Sequence, residues 1–378
     1  MKIALVAGET SGDTLGAGLV REIRRLAPDA EFEGIAGPRM IEAGARSLYD
    51  MDAISIMGLD GLFANLKTIL AIRDGLHRRF LDTRPDVFVG IDVPDFNLGL
   101  EYRLRRAGIP TIHYVSPTVW AWRRYRIRKI RKAVDHMLAL FPFEADFYRK
   151  HGIPVTFVGH PLADTVSQMP RNEARRELGL SGDGRVVALL PGSRGSEIAR
   201  LGKPFLAAAA LLLERDETLR FVVPSANAGV RAGIESSLGK ALPSDRVTLI
   251  DGRAQIALRA ADAALLASGT AALEAALTGT PMVVAYRVSA VSYCLVKLFS
   301  TVDHYSMPNH LLDEPIVPEF IQRAATPENL AAAVWSFLAD GVQRVAMRDA
   351  LAGIRETLAV GADRRASKVV LEMAGGSL

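Results

Sequence analysis

Three glycine-containing runs carry the residue types from which a ligand-binding site could be assembled. Gly8-Glu9-Thr10-Ser11-Gly12-Asp13 lies directly behind an apolar strand-like stretch at residues 2–6. Glycine lets backbone amides come close to a polar ligand, and the N-terminus of a following helix favours an anion. No Gly-Lys-Ser/Thr ends this run, so it is not a P-loop. Gly8, Gly12 and Gly16 are four apart, which does not match the dinucleotide fingerprint. The two carboxylates, Glu9 and Asp13, suit sugar hydroxyls better than phosphates, so a carbohydrate-like ligand is expected here.

The other two runs suit a nucleotide. In Leu190-Pro191-Gly192-Ser193-Arg194-Gly195-Ser196-Glu197, the glycines open a turn between strand and helix. Ser193 and the helix amides can bond phosphate oxygens, and Arg194 offers a bidentate donor, a workable grip on a diphosphate. An ordinary turn with a surface arginine is the alternative. Ala267-Ser268-Gly269-Thr270-Ala271-Ala272-Leu273-Glu274 also leaves a strand and enters a helix, with Thr270 near the N-cap. Glu274, one turn in, could accept both hydroxyls of a ribose while amides around Gly269 and Thr270 hold phosphate; otherwise it is an acid near the helix N-terminus, offsetting the dipole.

Val89-Gly90-Ile91-Asp92-Val93-Pro94-Asp95 ends a buried strand. Asp92 at its end is placed to take a proton from an attacking hydroxyl. Asp95 reads as the N-cap of the next helix. Beyond Trp120-Ala121-Trp122, seven of the ten residues 123–132 are Lys or Arg. Such a run fits an anionic lipid surface, single-stranded nucleic acid or a plain solvated face. Leu59, Leu62, Phe63, Leu66, Ile69 and Leu70 recur at helical spacing. They form either a core face or, beside the basic run, an interfacial helix. One such side chain fully buried is worth about 1.5–3 kcal/mol, and each nearby cation about 1 kcal/mol at an anionic leaflet. A few partly inserted residues would therefore suffice.

These residues need a scaffold. At 378 residues, 49% hydrophobic and 23% charged, the chain has the size and composition of two folded soluble domains. A single cysteine excludes a disulfide framework and a cysteine-based zinc site. No signal peptide or bilayer-spanning stretch is expected. Strand-like runs near 3–7, 33–36, 87–92, 111–115, 137–140 and 155–158 alternate with helical ones. After an interruption at Gly159-His160-Pro161, a second series runs near 186–190, 220–224, 247–250, 263–267 and 282–286. This alternation predicts parallel sheets built from βαβ units. The expected architecture is α/β: two Rossmann-like domains facing a cleft, at 1–165 and 166–340, with a helical segment at 341–378 that could return to the first. The turns around residues 10, 92, 193 and 270 are expected to converge on that cleft.

Taken together, Gly8-Glu9-Thr10-Ser11-Gly12-Asp13, Gly37-Pro38-Arg39-Met40, the run from Gly90 to Asn97, His113-Tyr114-Val115-Ser116-Pro117, Trp120-Ala121-Trp122, Leu190-Pro191-Gly192-Ser193-Arg194 and Ser268 to Glu274 resemble the lipid-A-disaccharide synthase family. The resemblance implies a GT-B fold and a bacterial glycosyltransferase of lipopolysaccharide assembly, peripheral on the cytoplasmic face of the inner membrane. It implies that UDP-2,3-diacylglucosamine and 2,3-diacylglucosamine 1-phosphate give a β-1,6-linked disaccharide 1-phosphate and UDP, with inversion. In this reading Asp92 is the base. Arg194, Gly192 and Ser193 meet the diphosphate, and Ser268, Gly269, Thr270, Ala271, Glu274 and Asn309 bind the donor. Glu9, Ser11 and Gly12 line the acceptor side, with Glu9 contributing to catalysis. No metal or other cofactor is implied. Leu59–Leu70 would face the membrane. His310 stands where the family pattern has an apolar residue. Rival readings are another UDP-sugar enzyme, such as a lipid-linked N-acetylglucosaminyltransferase or a 2-epimerase, and an RNA-binding module. The last would leave the glycine loops without a purpose, so no nucleic-acid partner is expected. Assembly into a homo-oligomer stays open.

Overall fold

The computed structural model describes residues 1–54, 59–122, 124–180, 184–238, 242–289, 293, 297, 300 and 302–376, without the side chains of 59–65, 237 and 238. The chain forms two compact units, Met1–Asp164 with Leu358–Leu378, and Thr165–Thr357.

Unit 1 is built on β1 (Lys2–Ala7), β2 (Glu31–Ile35), β3 (Arg46–Tyr49), β4 (Val87–Ile91), β5 (Thr111–Tyr114), β6 (His136–Ala139) and β7 (Val155–Phe157). They form one parallel sheet in the order β3-β2-β1-β4-β5-β6-β7. The central strand β4 is buried at every position, as a parallel strand covered on both faces must be. Its neighbour β1 aligns with it through Ala7 and Ile91, so the turns that leave both strands open side by side. The order reverses between these two strands, the place where open α/β sheets bind ligands.

Unit 2 repeats the plan with β8 (Val186–Leu190), β9 (Arg220–Ser225), β10 (Val247–Asp251), β11 (Ala263–Ala267), β12 (Met282–Tyr286) and β13 (Glu319–Ile321). The order is β10-β9-β8-β11-β12-β13, all parallel. Here the reversal falls between β8 and β11, whose ends align through Leu190 and Leu266. Strands β3 and β13 escape sequence reading. They are short outer strands of partly exposed residues and lack the apolar run that marks the inner ones.

The helical segment expected at 341–378 divides. The helix Gly341–Leu358 lies in unit 2 but for its last residue, and only Ala362–Met373 belongs to unit 1. That last helix packs along the helix Thr10–Leu26 and buries Ala362, Ala366 and Val370. Its start is tied down by Asp164, whose carboxylate accepts from Gly361 N at 3.0 Å and Ala362 N at 2.7 Å.

The helix Leu59–Thr83 carries the proposed membrane stretch. Ile69, at 6% exposure, joins Ile72, Leu76 and Phe80 in the unit 1 core with Val6, Phe88 and Phe96. Ile69 is therefore a core residue, and its membrane-facing assignment is corrected: at i, i+3, i+7 and i+11 these four share the stripe that packs inward. Leu66 and Leu70 lie off it, 45% and 37% exposed. The side chains of Leu59, Leu62 and Phe63 are outside the described residues. Ile69→Ala is expected to lower stability by about 2–5 kcal/mol, and Leu66→Ala by less than about 0.5 kcal/mol, measured by urea unfolding.

Candidate active site

In unit 1 the site grows from a strained turn. Asp92 and Val93 follow β4 with φ of 55° and 44°. Two successive non-glycine residues in the left-handed region, one of them β-branched, are held there only by surrounding bonds. Asp92 N donates to Tyr114 O at 2.8 Å, and Phe96 N and Asn97 N both donate to Val93 O at 3.0 Å. The fully buried Asn97 donates through Nδ2 to Asp92 O at 2.8 Å, with Val6 O at 3.3 Å also in reach. Val6 lies on β1, so one side chain ties the two central strands together beneath the turn. Among the described residues no hydrogen bond reaches the half-buried Asp92 carboxylate.

Next to it, Gly8 and Glu9 leave β1 and the helix Thr10–Leu26 begins. A Cβ on Gly8 would lie 2.7 Å from Val93 Cγ2, so the two turns touch and only glycine fits. Glu9 and Ser11 are exposed at the helix entrance, and Gly12 is buried against Ile91. Asp13 behaves otherwise than expected of a sugar ligand. It is buried, and its carboxylate accepts from Arg39 N and Met40 N at 3.0 Å each, capping the helix Pro38–Glu42. Asp95 also departs from expectation. Val93 is the N-cap, and Asp95, in the first turn, pairs with Arg126.

Behind this turn lies a buried polar layer. His113 Nδ1 and Glu101 Oε1 are 2.7 Å apart with neither side chain exposed, and burial pushes the Glu101 carboxyl above its usual range. Gly90 leaves room for it, because a Cβ there would sit 2.2 Å from Glu101 Oε1. A second layer carries the loop of Trp120 and Trp122. Glu144 Oε1 accepts from Trp120 Nε1 at 3.3 Å, its Oε2 from Phe141 N at 3.2 Å, and Ser116 lies 3.0 Å from the Tyr148 hydroxyl.

In unit 2 a pocket of about 300 Å³ opens at the carboxyl ends of β8 and β11. Gly192, Ser193, Arg194, Ser268, Gly269, Thr270, Ala271 and Glu274 all line it. Gly192 and Gly269 have φ of 140° and 155°, which explains glycine at both turns. Glu274 is half-buried there, and desolvation raises its carboxyl above the ordinary range, partly offset by a hydrogen bond from Gln255. Arg194 is 73% exposed, and among the described residues its ion pair is with Glu197 at 3.8 Å. The Ser193 and Arg194 amides, expected to face phosphate, donate to Glu197 Oε2 at 2.8 and 3.3 Å. The capping-box position three residues after Arg194 was the sequence signal for this. Asn309 does not line this pocket; its amide bonds Val317 O, Val317 N and Glu319 Oε1 within its own loop. His310, by Nε2, meets His304 O at 2.9 Å and helps shape the same loop.

Comparison with known proteins agrees with this picture. The sequence profile described as lipid-A-disaccharide synthetase matches residues 3–373. A lipid-A-disaccharide synthase of Alkalilimnicola ehrlichii is 50% identical over 380 residues, covering all of both chains. The chain belongs to the lipid-A-disaccharide synthase family. Another relative of that name, from Pseudomonas aeruginosa, is 50% identical over 374 residues, covering 99% of this chain and 98% of its own. Among solved structures, the glycosyltransferase of kitacinnamycin superposes with a TM-score of 0.64 at 18% identity, covering 98% of each chain. UDP-GlcNAc 2-epimerase from Neisseria meningitidis bound to UDP-GlcNAc gives 0.60 at 15%, covering 99% of each. At such identities these two likenesses bear on the fold alone, the GT-B kind expected from the family's motifs. As expected of this family, the chain is an enzyme.

Glu144 went unnoticed in the sequence because an acid in a helical run carries no mark of burial. Its pKa is raised from 4.5 to about 8 by desolvation. The folded protein therefore holds a proton that the unfolded chain releases, and folding stability should fall as pH rises between those values. Glu144→Gln is expected to flatten that slope in thermal melts from pH 5 to 8 and to keep the tryptophan fluorescence of the native loop.

Proposed function

We propose that the chain is an inverting glycosyltransferase that joins UDP-2,3-diacylglucosamine to 2,3-diacylglucosamine 1-phosphate. Family membership supports this, and the observation that carries the chemistry is Asp92, braced on a strained turn with its carboxylate uncommitted. In the reaction Asp92 takes the proton of the acceptor 6-hydroxyl as O6 attacks the donor C1. The C1–O bond to UDP breaks on the opposite face, giving the β-1,6 linkage and UDP. The developing charge on the diphosphate is met by Arg194 and by the N-terminus of the helix Gly195–Arg215. Glu274 accepts the ribose hydroxyls. Glu9 and Ser11, beside Asp92, line the acceptor side with Gly12.

The acylated substrates lie in a bilayer, and we place the enzyme peripherally on the cytoplasmic face of the inner membrane. No helix among the described residues is long and apolar enough to cross a membrane. Exposed Leu66 and Leu70, with exposed Arg124 and Tyr125 of the basic run, supply apolar and cationic contacts to an anionic surface.

The deciding experiment incubates purified protein with both acylated substrates and follows the product by mass spectrometry. A disaccharide 1-phosphate is expected; conversion of UDP-GlcNAc to its 2-epimer, with no disaccharide, would overturn the reading. Asp92→Asn is expected to slow turnover by about 10²–10⁴-fold with UDP affinity close to wild type. Arg194→Ala should weaken UDP binding and slow the reaction together. Because burial raises the Glu274 carboxyl, protonation should begin at a higher pH than for an exposed glutamate. UDP affinity, measured by calorimetry, should then decline as pH drops into the mildly acidic range. Glu274→Gln should weaken binding and abolish that dependence.

A further inference from the structure

We propose that a cationic groove in unit 1 holds the phosphomonoester of the acceptor, an inference that rests on the reaction proposed above. The groove lies between the helices Pro94–Arg106 and Ile127–Ala133 and has a volume of about 700 Å³. Arg126, Arg128, Lys129 and Lys132 line it with Tyr102 and Tyr125.

Four cations meet one acid, Asp95, and that acid is already matched by Arg126. Among the described residues, Arg128, Lys129 and Lys132 have no ion-pair partner. Arg105 on the facing helix is different: its charge is committed to Asp135 at 2.6 Å. Arg128, Lys129 and Lys132 are exposed, yet each lines the groove beside Tyr102 and Tyr125. Such an arrangement recognises a dianion bearing several acceptor oxygens.

Position points to which dianion. Asp95, on the groove wall, is three residues after Asp92. Three residues span at most about 10 Å, a length comparable to a hexose with a substituent at each end. Asp92 thus neighbours the groove wall, and an acceptor that offers its 6-hydroxyl to Asp92 would direct its 1-phosphate toward the groove. A phospholipid headgroup carries similar chemistry, and the test separates the two.

The kinetic probe is a short-chain acceptor, supplied with its 1-phosphate or with a 1-O-methyl group instead. Wild type should prefer the phosphate. The double variant Arg128→Ala/Lys129→Ala should raise KM for the phosphorylated acceptor about tenfold or more, leave the donor KM unchanged, and erase the preference. Lys132→Ala should show a smaller shift of the same kind, with melting temperatures near wild type. Calorimetry with glucosamine 1-phosphate against glucosamine reads the groove without turnover: binding of the phosphate alone, lost in the double variant, supports it. Equal KM for the two acceptors in wild type, or an equal shift for both in the variant, overturns it. So does weaker sedimentation of the variant with phosphatidylglycerol vesicles while its acceptor KM stays put, which assigns the groove to bilayer headgroups. Glucosamine 1-phosphate bound by a wild-type protein that makes no disaccharide would sink the proposed reaction and spare the groove.

Discussion

The hydrogen bond from Asn97 to the carbonyl of Asp92 is the constraint on which the unit 1 site depends. The backbone at Asp92 and Val93 occupies a region that side-chain-bearing residues avoid. A relaxed turn would aim the carboxylate elsewhere. Asn97 prevents relaxation by engaging the turn, and its reach to Val6 links that turn to the strand from which Glu9 emerges. Gly90 and Gly8 exist to let these groups come together, since a methyl at either would collide. The turn is thus braced from several sides by the protein itself, which would give the base proposed at Asp92 a fixed direction.

Unit 2 solves a different problem with the same topology. In the proposed reaction it would hold a large anionic leaving group and then let it go. The glycines at 192 and 269 shape the walls, while Arg194 stays extended into solvent and Glu197 occupies the nearest amides. In the proposed reaction, shaped walls with an exposed charge would allow strong stabilisation as the diphosphate departs.

Much of this was legible in the sequence. Buried inner strands are continuous apolar runs, and the ligand loops follow them with glycine where the backbone turns, so the sheets and the pocket lining could be read directly. What escaped depended on direction in space. Asp13 and Glu9 are chemically alike, yet Asp13 lies inside the helix, buried against the segment it caps, while Glu9 is the extended, exposed N-cap residue before it. Ile69 and Leu66 have the same hydropathic character and differ only in which stripe of the helix they occupy. Asn309 sits in a family motif, but its amide is used within its own loop. Glu101, Glu144 and His113 were invisible as a layer because burial of a charged residue type is a property of the fold, not of its neighbours in the chain.

The return of the final helix to the first sheet bears on biogenesis. Unit 1 is interrupted by the whole of unit 2, so its Thr10–Leu26 helix keeps an uncovered flank until Ala362–Met373 has been synthesised. The intervening unit is continuous and can fold first, although it is synthesised second. A stop before Ala362 would consequently cripple the earlier-made unit 1 and leave the sequence of unit 2 whole.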